Sequence, residues 1–394
     1  MRIGIYNESS AGMLGGSEYE AAVLAADLSR DHQVDLVHHH VGLTPDALER
    51  FTGFAIDGVN LRFVVRTTPA PSSTGAPWTI WRESTAWHAD YSAPYDLFVC
   101  IGHWMPPFCR AKRGVLVALF PLFRPFEQWP FDDPPRTVLD LRRRLRQAYY
   151  RWEWRRRMGS YRDIVSISEF TRTWTRRFWG VDSSVVYPPV AVEEAPWPAA
   201  KGNTIVSVGR FAAGGHPKKH AELIRTFASM AGLRANGWRY ELLGACGDHP
   251  GDRAYLAAIE SLAGDSGAHV HVNVSRAELL QRYAAAKIFV HGAGYGEPDD
   301  KPERAEHFGI VTVEAMAAGC VPIVVNRGGQ PEIVRHGIDG FVWNTLDELE
   351  QHIRLVASDE SLRLRLSLAA RERSRRFGKD AFVEGMRRFV TRGR

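Results

Sequence analysis

Residues 306–332 read EHFGIVTVEAMAAGCVPIVVNRGGQPE, and this stretch decides the fold expected of the whole chain. Two carboxylates, Glu306 and Glu314, stand eight residues apart around the start of a predicted helix, and the apolar strand Val321–Val325 follows. A tight turn at Gly328 then begins a second helix. N–H groups at helix N-termini bind phosphate oxygens, and carboxylates accept hydrogen bonds from hydroxyls. The stretch therefore predicts a ligand that has both phosphates and sugar hydroxyls.

The size and composition of the chain indicate a two-domain globular protein. A chain of 394 residues is too long for one ordinary core, and 45% of its residues are apolar. The segment Met1 to Tyr6 reads as a strand rather than a secretory signal, and the longest apolar run, 115–123, is too short to span a bilayer. Four scattered cysteines without a C-x-x-C pair favour reduced thiols, so we expect a cytoplasmic protein. They are Cys100, Cys109, Cys246 and Cys320.

Strand-like and helix-like segments alternate in two series along the chain, which indicates two mostly parallel sheets covered by helices. The first series occupies residues 1–190. Residues 191–202 contain prolines and charged residues without periodicity, and we expect them to form a linker. A second series begins at residue 203. The predicted strands are Arg2–Tyr6, Gln33–His38, Leu61–Arg66, Leu97–Ile101, Gly114–Leu119, Arg162–Ser168, Thr204–Gly209, Tyr240–Gly244, His269–Val272, Ile288–His291 and Val321–Val325.

The 306–332 stretch resembles the E-x7-E signature of retaining glycosyltransferases of family 4, which have the GT-B fold. The resemblance extends over most of the chain, closely after residue 160 and loosely between residues 40 and 95. It implies an α/β protein with two Rossmann-like domains facing a cleft. Residues 1–190 would bind the acceptor, and residues 203–375 would bind the nucleotide sugar. A C-terminal helix within residues 376–394 would return to the first domain.

The same resemblance implies a role for each residue of the motif. Glu306 would contact the hydroxyls of the donor sugar, and Glu314 would bind the ribose of the nucleotide. Backbone groups near Val274 would bind the edge of the base. The backbone N–H groups that face the distal phosphates, where a helix N-terminus favours negative charge, would be those of Phe308, Gly309 and Ile310.

Positively charged residues are expected to neutralise the diphosphate of the donor. Arg210 follows the predicted strand Thr204–Gly209, and Lys218 and Lys219 precede the next predicted helix. Similar enzymes place an arginine and a lysine at these points. The planar arginine side chain can bind two phosphate oxygens, and the lysine acts as a point charge. Either lysine fits the pattern, and Lys218 stands at the usual distance from Leu223.

The first domain offers a glycine-rich loop as a candidate contact for the acceptor and the donor phosphate. Gly15 and Gly16 resemble the loop after the first strand in this family, where Gly16 lets the backbone approach the donor phosphate. A helix is expected to begin at Ser17, because Ser17 and Glu20 fit the pattern of a capping box.

Histidine positions distinguish this chain from many members of the family that it resembles. His103, after the predicted strand Leu97–Ile101, is a candidate contact for sugar hydroxyls. Many relatives carry a histidine at the end of the strand that here reads Val117–Pro121, and this chain has none there. We therefore expect its contacts with the donor sugar or the acceptor to differ from the common pattern. The triplet His38–His40 lacks a nearby cysteine or carboxylate, which favours a polar strand end over a metal site.

Residues 141–158, LRRRLRQAYYRWEWRRRM, carry eight arginines and a single glutamate. Apolar residues at helical spacing predict a surface helix with one buried stripe formed by Leu141, Leu145, Tyr149 and Trp152. The alternative is a peripheral contact with anionic lipid headgroups at the inner face of the membrane, or with an acidic acceptor. Nucleic acid is not an expected partner, because no recognised binding module accompanies the charge.

Taken together with these patterns, the family resemblance implies a metal-independent, retaining hexosyltransferase. Asp132–Asp133 and Asp299–Asp300 do not form the D-x-D of metal-dependent glycosyltransferases, and the arginine and lysine can stabilise the leaving diphosphate instead. No cofactor is expected beyond a GDP- or UDP-sugar as co-substrate, and the acceptor is a glycan, a lipid-linked sugar or a small molecule. Two alternatives remain. One is an epimerase or non-glycosidic coupling enzyme on the same fold, and the other is a nucleotide-sugar-binding, membrane-associated partner without transferase activity.

Overall fold

The computed structural model of the chain describes residues 1–7, 14–64, 91–125, 140–196, 200–214 and 217–391, with only the backbone described for 140–147. The chain divides into two compact units. The first unit comprises Met1–Pro189 and Phe382–Arg394, and the second comprises Val190–Ala381. The segment expected to be a linker begins the second unit, where Val192–Glu194 form a short 3-10 helix.

The first unit is built on a parallel sheet. Its strands are β1 (Arg2–Asn7), β2 (Gln33–His38), β3 (Val59–Phe63), β4 (Leu97–Gly102), β5 (Arg113–Ala118), β6 (Asp163–Ser166) and β7 (Ser184–Val185). They are ordered β3-β2-β1-β4-β5-β6-β7, and every pair is parallel. Its helices are α1 (Gly16–Leu28), α2 (Pro45–Thr52), α3 (Asp140–Met158) and α4 (Glu169–Trp179). Strand β4 is buried along its whole length, as is usual for parallel strands with both faces covered.

The second unit repeats this architecture with six parallel strands. They are β8 (Gly202–Val208), β9 (Arg239–Gly244), β10 (Ala268–Val272), β11 (Ala286–His291), β12 (Val321–Val325) and β13 (Phe341–Trp343), in the order β10-β9-β8-β11-β12-β13. The helices are α5 (His220–Ser229), α6 (Ala231–Ala235), α7 (Pro250–Ser266), α8 (Arg276–Ala285), α9 (Ile310–Ala317), α10 (Gln330–Ile333), α11 (Leu346–Ser358) and α12 (Glu360–Ser374). Short 3-10 helices lie at Pro302–Arg304 and Arg375–Phe377.

The strand order of each sheet reverses at one point, and ligands of open α/β sheets bind beyond the carboxyl ends of the strands at that point. In the first sheet the reversal lies between β1 and β4, and in the second it lies between β8 and β11. Each unit therefore has one place where its loops are expected to bind a ligand.

The C-terminal helix α13 (Lys379–Thr391) returns to the first unit, as the family resemblance implied. Arg387 forms ion pairs with Asp27 at 2.7 Å and with Asp31 at 3.1 Å. A guanidinium nitrogen of Arg113 donates to the carbonyl oxygen of Val390 at 2.7 Å. These contacts join the helix to α1 and β5.

The start of α1 differs from the prediction. The helix begins at Gly16 with Gly15 as its N-cap residue, instead of beginning at Ser17. The carboxylate of Glu18 accepts hydrogen bonds from the Gly15 N–H at 2.9 Å and from the Ser17 hydroxyl at 3.0 Å. Glu18 therefore supplies the capping carboxylate, because it is three residues after Gly15. Glu20, which the prediction placed in the capping box, is buried with 1% of its surface exposed.

The buried face of the arginine-rich helix α3 also differs from the prediction. Trp152 is 49% exposed, whereas Glu153, Trp154, Arg157 and Met158 are buried. The carboxylate of Glu153 accepts from Arg156 at 2.8 Å and from Arg157 at 2.6 Å. Because Glu153 is paired with these arginines, this charged turn of α3 can face the core. The spacing of apolar residues alone does not predict such a buried charged turn. The side chains of Leu141 and Leu145 lie outside the described residues.

In the described residues, all helices are too short or too polar to cross a bilayer. The four cysteines are free thiols, of which Cys246 is partly exposed and the other three are buried.

Candidate functional site

Two side chains converge on one carboxylate oxygen of a third residue, Glu306, at the strand-order reversal of the second sheet. Lys218 lies in the loop before α5, His291 is the last residue of β11, and Glu306 precedes α9. The Lys218 Nζ atom donates to Glu306 Oε2 at 2.6 Å. The His291 Nε2 atom lies 3.2 Å from the same oxygen. Residues 88 positions apart in sequence thus meet at the carboxyl ends of β8 and β11.

Glu306 is ionised in this setting. Burial raises the pKa of its carboxyl, but the Lys218 ammonium and the His291 ring outweigh burial and hold that pKa well below the usual range. For His291, burial lowers the pKa and Glu306 opposes the change only in part, so the ring is neutral near pH 7. The second oxygen of Glu306, Oε1, has no hydrogen bond to any described residue. It can therefore accept a hydrogen bond from a ligand hydroxyl.

The glycine turn after β12 fixes the backbone of Glu306. The N–H of Gly329 donates to the carbonyl oxygen of Glu306 at 2.8 Å. Gly328 has a φ of +67°, and a Cβ atom there would overlap the same carbonyl oxygen. The two halves of the 306–332 motif are therefore in direct contact, and only glycine fits at position 328 without strain.

The N-terminus of α9 presents unpaired donors. Gly309 is the N-cap residue, and within the described part of the chain the N–H groups of Gly309 and Ile310 have no acceptor. Gln330 is fully buried beside Gly309, and its amide oxygen accepts from the Thr312 hydroxyl at 2.9 Å. Its amide nitrogen has no acceptor among the described residues. Such a helix N-terminus attracts anions. The Phe308 ring is 3% exposed, which leaves only its backbone for the predicted contact.

Glu314, the second glutamate of the motif, is buried at the other end of this region. One oxygen accepts from Arg276 at 2.5 Å, and the other accepts from the Tyr283 hydroxyl at 3.3 Å. Burial raises the pKa of the Glu314 carboxyl, and these two donors oppose the rise. Arg276 also lies 3.8 Å from Glu194. A ribose that binds Glu314 must therefore share the carboxylate with Arg276 or displace it.

The structure separates the two lysines that the sequence left as alternatives. Lys219 forms an ion pair with Glu297 at 2.6 Å, and Arg304 binds the other oxygen of Glu297 at 2.9 Å. Burial raises the pKa of the Glu297 carboxyl, but the two cations outweigh it and lower that pKa. Lys218 is therefore the lysine beside Glu306, and Lys219 belongs to a neighbouring cluster.

Arg210 is held between two anchored residues but is itself exposed. The Gly209 N–H donates to the Leu243 carbonyl at 2.9 Å, and the N–H of the fully buried Phe211 donates to the Ala245 carbonyl at 2.8 Å. The Arg210 side chain makes no hydrogen bond or ion pair with the described residues. It is therefore available to an anion at the end of β8.

The loop expected to bind the base lies between β10 and α8. Asn273 adopts a left-handed conformation with a φ of +54°, and its N–H donates to the Gly244 carbonyl at 2.9 Å. Val274 follows, and Ser275 is the N-cap residue of α8. The backbone of Val274 thus lies at the carboxyl end of β10, on the same edge of the sheet as the Lys218–Glu306 pair.

The candidate residues of the first domain lie after two neighbouring strands of the first sheet. Gly15 and Gly16 start α1 after β1, and His103 follows β4. The Leu122 N–H donates to the carbonyl oxygen of His103 at 3.1 Å. These residues flank the reversal point of the first sheet, although residues 8–13 of the connecting loop lie outside the described part of the chain.

No cluster of three or more metal-ligating side chains is present in the described residues. Asp299 forms an ion pair with Arg327 at 2.7 Å, and Asp132–Asp133 lie outside the described residues.

Sequence reasoning missed four polar residues of the second unit that surround the predicted ones. They are His291, Arg276, Glu297 and Gln330. His291 closes a predicted strand, and strand ends at a reversal point are where ligands bind. That signal could have identified it. The others become visible only when their distant partners are known.

Comparison with solved structures identifies the fold. HepE of Anabaena, determined in complex with UDP, superposes with a TM-score of 0.67 at 15% identity over 99% of this chain and 100% of HepE. WaaG, a glycosyltransferase involved in lipopolysaccharide biosynthesis, gives 0.63 at 17% identity over 100% of both chains. Two parallel-sheet α/β domains with these neighbours define a GT-B fold.

Comparison of sequences connects the second unit with a family. Residues 193–373 match the family model of glycosyl transferases group 1. The GDP-Man:Man(3)GlcNAc(2)-PP-Dol alpha-1,2-mannosyltransferase of Dictyostelium discoideum is 27% identical over 59% of this chain and 48% of its own length. The GDP-mannose-dependent alpha-(1-6)-phosphatidylinositol monomannoside mannosyltransferase of Mycobacterium tuberculosis is 28% identical over 55% of this chain and 58% of its own. The chain thus spans about half the length of the curated relatives it matches. Together the comparisons show that the chain has the GT-B fold and that residues 193–373 are similar to glycosyl transferases.

Proposed function

We propose that this chain transfers mannose from GDP-mannose to a lipid-linked acceptor, with retention of anomeric configuration and without a metal ion. The observation that carries the proposal is the Lys218–Glu306 pair at the reversal point of the sheet that matches the glycosyl transferase family. GDP-mannose is named in both curated relatives described above, and their acceptors are named as Man(3)GlcNAc(2)-PP-Dol and phosphatidylinositol monomannoside. The site contains the carboxylate, cations and helix N-terminus that such a donor requires.

The donor is bound through three kinds of contact in this proposal. Arg210 and Lys218 bind the diphosphate, and the free N–H groups at the start of α9 bind its distal oxygens. Glu314 accepts hydrogen bonds from the ribose, with Arg276 moving aside or sharing the carboxylate. Glu306 offers Oε1 to a hydroxyl of mannose, because its other oxygen, Oε2, faces Lys218 and His291.

During the transfer, negative charge develops on the leaving diphosphate. The bond between mannose C1 and the β-phosphate oxygen breaks, and the acceptor oxygen forms its bond to C1 on the same face. The acceptor proton passes to the leaving phosphate oxygen, so no protein side chain is needed as the base. Arg210 and Lys218 stabilise the negative charge that grows on the diphosphate, which removes the need for a metal ion.

The arginine-rich helix supports a second, separable proposal about location. Arg151, Trp152 and Arg155 are exposed on α3, and Trp152 is one of the most exposed large apolar side chains of the first unit. Exposed tryptophan beside arginine is typical of surfaces that contact anionic lipid headgroups. A lipid-linked acceptor lies at such a surface, so we propose that α3 makes a peripheral membrane contact.

The transferase proposal is tested by incubating the protein with GDP-mannose labelled with 13C at C1 and with n-octyl α-mannoside as a simple mannosyl acceptor. The expected product is an octyl dimannoside whose new linkage keeps the α-configuration, with one GDP released per linkage and no inhibition by EDTA. A product with β-configuration would contradict retention. A mannose derivative without a glycosidic bond would instead favour an epimerase or coupling enzyme.

A further inference from the structure

His291 is a buried histidine that faces the central carboxylate of the site. Its side chain is 3% exposed, and its Nε2 atom lies 3.2 Å from Glu306 Oε2. Neither ring nitrogen completes a hydrogen bond with the described residues. A buried polar group without a partner costs free energy, and its presence in a folded protein needs an explanation. In the arrangement seen here, Lys218 binds Glu306 Oε2 and His291 is left without a hydrogen bond. His291 would gain one in a state in which Lys218 leaves that oxygen.

The tautomer of His291 follows from its surroundings. Burial makes the ring neutral at pH 7, so one ring nitrogen carries a proton and the other carries a lone pair. A lone pair on Nε2 would lie 3.2 Å from the ionised Glu306 oxygen and be repelled. The proton therefore lies on Nε2, the ring nitrogen nearest Glu306, although it does not complete a hydrogen bond there. A small rotation of either side chain would complete this hydrogen bond.

Among the residues that the structure describes, Lys218 and His291 are the ionisable groups that act on Glu306. Glu306 is faced by Lys218 from the loop before α5 and by His291 from β11. His220, which faces Lys218 and His291, is kept neutral because burial lowers its pKa to about 3. Its ring contacts the Tyr255 hydroxyl at 3.1 Å and packs 4.8 Å from the Phe211 ring.

We propose that His291 is the positioning residue that holds Glu306 in place when Lys218 turns to the donor diphosphate. The inference rests on the function proposed above, because contact with a diphosphate draws N–H donors of the Lys218 ammonium away from Glu306 and weakens its hold on that carboxylate. His291 then donates from Nε2 to Oε2, and Oε1 stays directed at the mannose hydroxyl. Lys218 then binds the phosphate of the donor, and His291 binds the Glu306 carboxylate that contacts its sugar.

Three substitutions in the full chain separate positioning from packing. His291→Gln retains an N–H close to the position of Nε2, His291→Asn retains polarity but is too short to reach Glu306, and His291→Leu retains volume alone. Transfer from GDP-mannose should fall tenfold or more in kcat for the Asn and Leu variants, with KM changed less than threefold. The Gln variant should keep at least a third of the wild-type kcat. Stabilisation by GDP alone should be the same in all four proteins, because GDP lacks the sugar that Glu306 contacts.

The pH profile gives a readout that a packing role would not change. Because His291 helps to lower the pKa of Glu306, its loss raises that pKa. The acidic limb of kcat/KM should therefore move to higher pH in the Leu and Asn variants and stay near the wild-type position in the Gln variant.

Each outcome distinguishes this inference from the proposed function. A wild-type protein that is stabilised by no nucleotide and transfers no sugar would refute the proposed function. An active wild type with a fully active His291→Leu variant would overturn the inference alone. So would equal losses in the Gln, Asn and Leu variants with an unshifted acidic limb. If His291→Leu does not fold, as shown by loss of GDP stabilisation, the Asn and Gln pair decides the question.

Discussion

At the scale of single residues, the site depends on Glu306 being ionised and on its Oε1 atom being oriented toward the ligand. Lys218 binds one of its oxygens and His291 lies 3.2 Å from the same oxygen, while Arg210 makes no hydrogen bond or ion pair with the described residues and can bind an anion. Glu306, Lys218 and Arg210 would contact the donor at different points, so their removal should affect transfer more than folding.

Glu306→Ala and Arg210→Ala should each fold normally and lose at least a hundredfold in transfer. Loss of one such charged contact costs on the order of 2–4 kcal/mol of transition-state stabilisation. The measurement is kcat/KM for GDP-mannose, with the melting temperature as the check on folding. Arg225→Ala is the matched control, because Arg225 is an exposed arginine of the same unit on α5. Near-normal turnover in either site variant would show that the site residues are wrongly assigned.

Glu20 gives a prediction about stability. It is 1% exposed, one of its oxygens has no partner among the described residues, and burial raises its pKa to about 8. Between about pH 4.5 and 8 the unfolded protein releases this proton and the folded protein keeps it, so stability falls as pH rises. Glu20→Gln should therefore be more stable than the wild type at pH 8, by on the order of a few kcal/mol, and the gain should disappear near pH 4.5.

Thermal unfolding of both proteins from pH 4.5 to 9 measures this difference. Glu260→Gln is the control, since Glu260 is exposed on α7 and should show no such pH-dependent gain. A Glu20→Gln variant that is no more stable at pH 8 than at pH 4.5 would contradict a buried, protonated Glu20.

At the scale of elements, the glycine turn between β12 and α10 places Glu306 before α9. Gly328→Ala should lower stability by about 1–3 kcal/mol, because alanine is strained at this positive φ and its Cβ would overlap the Glu306 carbonyl. It should also reduce transfer by more than the loss of stability explains, since Glu306 must move. Gly337→Ala is a useful comparison: its φ of +73° is similar, but open space surrounds it. If both variants lose the same stability and neither loses turnover, the contact with Glu306 has no functional importance.

The exposed face of α3 should bind anionic membranes. Trp152→Ser combined with Arg155→Glu should reduce co-flotation with vesicles of phosphatidylcholine and phosphatidylglycerol severalfold, while transfer to a water-soluble acceptor stays unchanged. Leu368→Ser is the control, because Leu368 is an apolar residue of the second unit that is 59% exposed. Equal flotation of all three proteins, or no flotation of the wild type, would refute the membrane contact.

The elements show which parts of the structure the sequence could predict. The sequence predicts strand β12 with its observed bounds, Val321–Val325, because a short apolar run between two turns indicates a buried strand. The predictions for the start of α1 and for the buried face of α3 are wrong. The N-cap of α1 is a glycine, and the buried turn of α3 is stabilised by the ion pairs of Glu153, and neither feature follows an apolar pattern. The meeting of Lys218 and Glu306 depends on the order of the strands, so sequence alone could name both residues but not their contact.

At the scale of the whole molecule, the residues that match the family model and the residues of the candidate donor site lie in the same unit. The second unit contains the matched residues 193–373 and all the donor contacts proposed here except Gly16. The likeness to HepE and WaaG covers the whole chain but establishes the fold alone. The nature of the donor is therefore the claim on which the rest of the account depends.

The measurement that tests this claim most directly is the melting temperature of the wild type and of Lys218→Ala with saturating GDP, UDP and ADP. A ligand at a hundred times its dissociation constant stabilises a protein by about 2.7 kcal/mol. We expect such a shift for the wild type with GDP, a smaller one with UDP or ADP, and a much reduced GDP shift for Lys218→Ala. An unchanged melting temperature with every nucleotide, or a full GDP shift in Lys218→Ala, would contradict it.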